Sequence, residues 1–194
     1  MRLIITATCL CATLLIAGCG DSGKKETPEP AKETSVSAIP ASHFTTSRPT
    51  DVKNLADVKK TAQKGDDVVF LARVGGKANP FVDSHAIFLA ADPGLVSCEL
   101  MGEDDHCTVP QDYCCEDPEA LRAGMATVQF VDSSGRPLGS SAKGAGGLES
   151  LKFIVVEGTV RERNDDGMFL VDARQVWVGG KPTRDNPTAG SMTP

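Results

Sequence analysis

Two long β-branched runs joined by a short turn constrain this chain more than any other feature. The first runs from Lys152 to Arg161 and the second from Met168 to Val178, with Asn164-Asp165-Asp166-Gly167 between them. Asp-Gly between apolar runs is a strong short-range hairpin signal, because glycine supplies the positive φ that tight turns need. A hairpin alone is marginal in water and needs more strands or a packed cover. The sequence offers three more strands upstream. Val68–Val74 ends at Gly75-Gly76, His85–Ala91 ends at Asp92-Pro93-Gly94, and Ala126–Val131 ends at Asp132-Ser133-Ser134-Gly135. Phe70, Phe88 and Phe130 sit inside these runs. They are expected to fill a shared core, since base-stacking aromatics would come with basic neighbours.

Ahead of the strands, Asp51 to Gln63 places Val52, Leu55, Val58 and Ala62 at helical spacing, with Gly65 as a stop. This predicts one short amphipathic helix, capped by Thr50 or Asp51. Between the third and fourth strands, Gly139–Gly147 leads into Leu148-Glu149-Ser150-Leu151, read as one helical turn. The expected fold is therefore mainly β: a small five-stranded antiparallel barrel preceded by one short helix. Strand order, the helical turn before the fourth strand and the glycines closing the first strand resemble the OB-fold family over residues 66–178. That resemblance implies a closed barrel. The chain departs from the family pattern at residues 95–124, a cysteine-bearing insert between strands 2 and 3. The expected domain is 51–178, with residues 179–194 as a polar, disordered tail.

The N-terminus reads differently. Met1-Arg2 is followed by an apolar stretch from Leu3 to Ile16, and then by Ala17-Gly18-Cys19. Charge, a short apolar run and small residues make a secretory signal peptide, here residues 1–18. The run is too short for a hydrocarbon core of ~30 Å, which needs ~20 residues. Ile16-Ala17-Gly18-Cys19 resembles the bacterial lipobox, which implies cleavage before Cys19 and a lipid on its sulfur. Residues 19–50 are rich in Gly, Ser, Thr, Lys, Glu and Pro and poor in large apolar side chains. They are expected to be a disordered tether. The expectation is an exported protein held to a membrane of the cell envelope by its lipid. Gly20, where an inner-membrane signal would put aspartate, favours the outer membrane facing the periplasm.

These assignments sort the seven cysteines. Cys9 and Cys11 leave with the signal and Cys19 carries the lipid, so Cys98, Cys107, Cys114 and Cys115 remain, all within 18 residues. In an oxidising compartment an even number of cysteines reads first as two disulfides stapling the insert. Three pairings are open, and those separating Cys114 from Cys115 avoid a strained small ring. The other reading is a Zn or Cu site built from the four thiolates with His106, a soft ligand set. Its spacing departs from the paired C-x₂-C of common zinc sites, and adjacent cysteines seldom serve one ion.

Charge narrows the partners. From Asp66 to Val178 there are 19 acidic and 9 basic residues, a net charge of −10. Eight of the acids lie between Cys98 and Glu119, with no lysine or arginine among them. Such a surface repels phosphate backbones, so no nucleic-acid partner is expected. The same carboxylates should raise thiol pKa values, which disfavours redox catalysis. Ser140-Ser141-Ala142-Lys143 matches S-x-x-K, but glycines flank it and its partner motifs are missing. Glu162–Ala173 lacks the first and last ligands of a calcium loop. The sequence therefore predicts no catalytic residues. It predicts a non-enzymatic lipoprotein, a stapled acidic barrel for an envelope protein partner or a cation, with thiolate metal binding as the alternative.

Overall fold

The five apolar runs form the five long strands of a closed barrel. The computed structural model describes residues 38–101 and 107–192. Their order is β1 (Phe44–Thr45), β2 (Lys53–Asn54), α1 (Leu55–Thr61), β3 (Asp67–Val74), β4 (Ile87–Ala91), α2 (Pro118–Gly124), β5 (Met125–Gln129), β6 (Phe153–Arg163) and β7 (Phe169–Val178). β3 pairs antiparallel with β4 and with β6, and β4 pairs antiparallel with β5. β6 and β7 form the expected hairpin, and β5 runs parallel to β7, closing the ring β3-β4-β5-β7-β6. Closure removes the long unpaired edges that would otherwise template aggregation.

Alternation sets the inside of the barrel. Val68, Phe70, Ala72 and Val74 of β3 are all buried, as the period-two pattern requires. Phe70, Phe88 and Phe130 are fully buried, and the last two rings pack at 6.1 Å between centroids. Curvature comes from irregularities in the β6–β7 register beside Gly158 and Val160. A Cβ on Gly158 would collide with the Asp172 carbonyl and come within 2.8 Å of Val171 Cγ1, so the bend needs glycine. The hairpin turn is as the sequence implied. Gly167 has φ +97°, and Asn164 Oδ1 accepts from the Met168 amide at 2.9 Å.

Several boundaries differ from expectation. The amphipathic helix is shorter than 51–63, because Lys53–Asn54 is recruited as a strand parallel to β3. Its N-terminus is capped across the fold. Asn54 makes no capping bond, but Asp92 Oδ2 accepts from the Ala56 amide at 2.7 Å. The turn before β6 is a 3-10 turn at Ala145–Gly147 and not at Leu148–Leu151. The insert holds a second helix, α2, capped by Asp117, which accepts from the Glu119 and Ala120 amides.

The folded unit is also wider than 51–178. β1, placed in the tether by the sequence, pairs parallel with β7, and the His43 ring packs edge-on against Phe130 at 5.1 Å. On the tail side, Gly179 donates to the Phe153 carbonyl and the Phe153 amide donates to Gly180, both at 2.8 Å. Arg48 lies 5.6 Å over the Trp177 ring and donates to the Ser191 carbonyl at 2.8 Å. Both flanks are thus drawn onto the barrel by backbone pairing that their polar composition does not announce. The expected signal peptide, Cys19 and the expected tether up to residue 37 lie outside the described residues. Among the described residues, no helix is long and apolar enough to cross a membrane.

Candidate metal centre

The insert leaves the barrel after β4 and returns at β5. Its two ends are tied where the Asp92 amide donates to the Gly124 carbonyl at 2.7 Å. Ala91, Leu95 and Tyr113 form a small second core beneath it, with Ala120, Leu121 and Met125 alongside. Gln111 fastens the insert to the β3–β4 loop by accepting from the Gly76 amide at 3.2 Å.

Local backbone geometry brings the cysteines together. Cys98 begins a 3-10 turn, Cys98–Leu100. Its amide donates to the Asp112 carbonyl at 2.9 Å, and the Glu99 amide donates to the Pro110 carbonyl at 3.1 Å. These bonds lay Cys98 against the start of the Tyr113–Glu116 turn, which is closed by the Glu116 amide donating to the Tyr113 carbonyl at 3.0 Å. Cys114 and Cys115 are the two central residues of that turn. Their adjacency weighed against a shared ligand, yet the turn places their sulfurs only 3.9 Å apart. Cys114 Sγ is 3.6 Å from Cys98 Sγ and 3.7 Å from Cys107 Sγ.

No disulfide joins any of the four in this structure. The sulfurs of Cys98, Cys114 and Cys115 all lie within 4.8 Å of one another. Cys107 contacts Cys114 directly and also acts on the Cys98 thiol. Three of the four cysteines expected in the alternative ligand set therefore share one group, and Cys107 reaches it through Cys114. His106, the fifth member of that set, lies outside the described residues.

The distances have a chemical meaning. A disulfide requires ~2.03–2.05 Å between sulfurs. A tetrahedral ion with Zn–S of ~2.3 Å places its ligand sulfurs about 3.8 Å apart. The three contacts made by Cys114, 3.6, 3.7 and 3.9 Å, are ordinary thiol–thiol contacts that also suit the second value.

The Cys98 and Cys114 thiols are not activated nucleophiles. Burial, reinforced by the Cys107 and Cys114 thiols, pushes the Cys98 pKa well up. For Cys114 the hydrogen bond with Cys98 pulls down, but those with Cys107 and Cys115 outweigh it and the net shift is upward. Thiol chemistry at neutral pH needs the opposite shift.

One neighbour had no signal of its own in the sequence. Arg73, on the outer face of β3, is completely buried under the insert. Its guanidinium donates to the Leu95 carbonyl and, at 3.4 Å, to Ser97 Oγ. It stacks on Tyr113 and Phe153, 5.6 and 5.9 Å from the ring centroids. Arg73 Nε, Tyr113 Oη and Glu99 Oε2 are buried without a hydrogen-bond partner.

The other residues weighed from the sequence stay apart. His85 bonds Ser84 Oγ at 2.9 Å on the rim of a surface cleft. Ser141 Oγ accepts from the Lys143 amide at 3.4 Å, a local turn contact. The chain matches no protein-family model, and no curated protein and no solved structure matches it.

Proposed function

We propose that this chain is an exported lipoprotein, acylated at Cys19, whose OB-like barrel carries a thiolate centre for a soft d¹⁰ metal ion, Zn(II) or Cu(I). The observation that carries the metal reading is the convergence of Cys98, Cys107 and Cys115 on Cys114 at contact distances near a tetrahedral edge. With Cys107 as the fourth ligand, the protein thiolates leave no open coordination position for substrate. The centre therefore acts in metal holding or in stabilising the insert, not in catalysis, and the protein is non-enzymatic. The acidic stretch from Cys98 to Glu119 raises the local cation concentration around it. The ring β3-β4-β5-β7-β6 with its parallel β5–β7 closure supports the OB-like barrel. The lipobox residues and the proline-rich stretch after them support export and anchoring at the envelope, outer membrane first.

The test is intact mass and metal content of the protein purified without reductant. One equivalent of Zn or Cu with four titratable thiols is expected. A mass four hydrogens below the reduced value with no metal would overturn the centre and restore the stapled module for an envelope partner or a free cation. Incorporation of labelled palmitate, abolished by Cys19→Ala, tests the anchor.

A further inference from the structure

We propose that Arg73 is the built-in counter-cation of the thiolate centre, matched to a divalent ion held by four thiolates, an inference that rests on the metal reading above. A guanidinium stays protonated in a protein, and burying it without an anion is costly. Arg73 is fully buried, yet no carboxylate forms an ion pair with it among the described residues. Its partners are a carbonyl, a hydroxyl and two aromatic faces, and Nε has none. The two carboxylates that act on the neighbouring Tyr113, Asp92 and Glu116, are committed elsewhere. Asp92 accepts from the Ala56 and Gly94 amides, each at 2.7 Å, and Glu116 accepts from the Val96 amide.

Two of the three contacts Arg73 makes within the insert, those with Ser97 and Tyr113, adjoin the centre. Ser97 precedes Cys98 in the chain, and Tyr113 precedes Cys114. The guanidinium thus grips both backbone segments that deliver the closest sulfur pair, Cys98 and Cys114, 3.6 Å apart. A divalent ion with four thiolates carries a net charge of −2, which a buried cation beside its ligands partly offsets. Empty, the same pocket leaves Arg73 without a paired anion among the described residues. Arg73 is a positioning residue. It does not touch the metal, and it holds two ligand segments while supplying the charge that the loaded centre lacks.

The experiment compares Zn(II) affinity, by chelator competition at fixed pH under anaerobic conditions, for the wild-type chain, Arg73→Gln and Arg73→Lys. Glutamine keeps a donor toward Leu95 and Ser97 but removes the charge, whereas lysine keeps the charge. Circular dichroism and the fluorescence of Trp177 report folding, and the Co(II) absorption spectrum reports the ligand set. Outer-shell partners of metal sites are worth about 10–100-fold in affinity. Arg73→Gln should therefore bind Zn(II) about 10–100-fold more weakly with Co(II) thiolate bands in place, and Arg73→Lys should recover most of that loss. Equal affinity in Arg73→Gln, or equal weakening in both variants, overturns the counter-cation role and leaves the centre standing. Failure of Arg73→Gln to fold with or without zinc also overturns it, because the guanidinium then serves the barrel. A wild-type chain that binds no Zn(II) overturns the metal reading itself and this inference with it.

Discussion

Lys59 offers the sharpest test of how the fold is held. It lies on the inward side of α1, only 8% exposed, one turn after Leu55. Its ammonium donates to three backbone carbonyls: Arg122 at 2.6 Å, Met125 at 2.7 Å and Gly167 at 2.7 Å. Arg122 lies in the last turn of α2 and Met125 is its C-cap residue, where carbonyls lack helical partners and the helix dipole favours a cation. The third is in the β6–β7 turn. One side chain thus ties α1, α2 and the hairpin together. Lys59→Met keeps the stem's packing and deletes all three bonds. A hydrogen bond to a charged group contributes ~1.5–3 kcal/mol, and a carbonyl left buried costs ~1–3 kcal/mol. Three such bonds set a ceiling of several kcal/mol. The site borders a surface cleft lined by Arg122, Arg163 and Gly167, so water can rehydrate part of the loss. Removing a buried charge returns some desolvation energy as well. The expected net loss is about 2–4 kcal/mol, a large share of the ~5–15 kcal/mol typical of a domain. Urea denaturation followed by the single tryptophan, Trp177, which is buried in the fold, measures it directly. Lys60→Met is the control. Its ion pair with Asp57 is exposed on both sides, so it should change stability by less than about 1 kcal/mol. A Lys59→Met variant within about 0.5 kcal/mol of wild type would refute the reasoning, since the three bonds would then only cancel the burial cost.

Burial, with Arg163 adding to it, pushes the Lys59 pKa down to about 8 from 10.5. Between those values the unfolded chain binds more protons, so the stability of wild type relative to Lys59→Met should rise with pH across that window. Cysteine titrations there are common to both proteins and drop out of the difference, and paired urea titrations at pH 7.5 and 10 would show it. Asp92→Ala removes the cross-fold cap of α1 and should cost about 1–2 kcal/mol by the same denaturation assay. Gly158→Ala drives a methyl into the Asp172 carbonyl at the β6–β7 bend and should cost about 1–3 kcal/mol. Cys114→Ala removes the sulfur that contacts the other three and should abolish stoichiometric metal by elemental analysis, whereas Ser141→Ala should leave the metal content unchanged.

What could be read from the chain follows the range of the interactions. The five long strands are written locally, in alternation and turn residues, and the hairpin around Gly167 is written most plainly. The α2 helix also carried a local signal, Asp117 followed by Pro118 at the first helical position, which the surrounding cysteines obscured. The two-residue strands β1 and β2 carried none. Each exists because a longer strand, β7 or β3, presents a free row of backbone groups to it. The ordered flanks at 38–50 and 179–192 have the same origin.

The candidate site divides along the same line. Which residues would meet was legible, because four cysteines in so short a span have few other partners. How they would meet was not. The objection that Cys114 and Cys115 diverge assumes an extended backbone, where successive side chains point to opposite faces. In a tight turn that alternation is lost, and the two sulfurs come within 3.9 Å. Arg73 was hidden for a different reason. Strand alternation puts it outside the barrel, where an arginine is normally solvated. It is buried because Tyr113, 40 positions along the chain, is folded back over it by the insert. A charge buried by a distant loop cannot be found by scanning a strand.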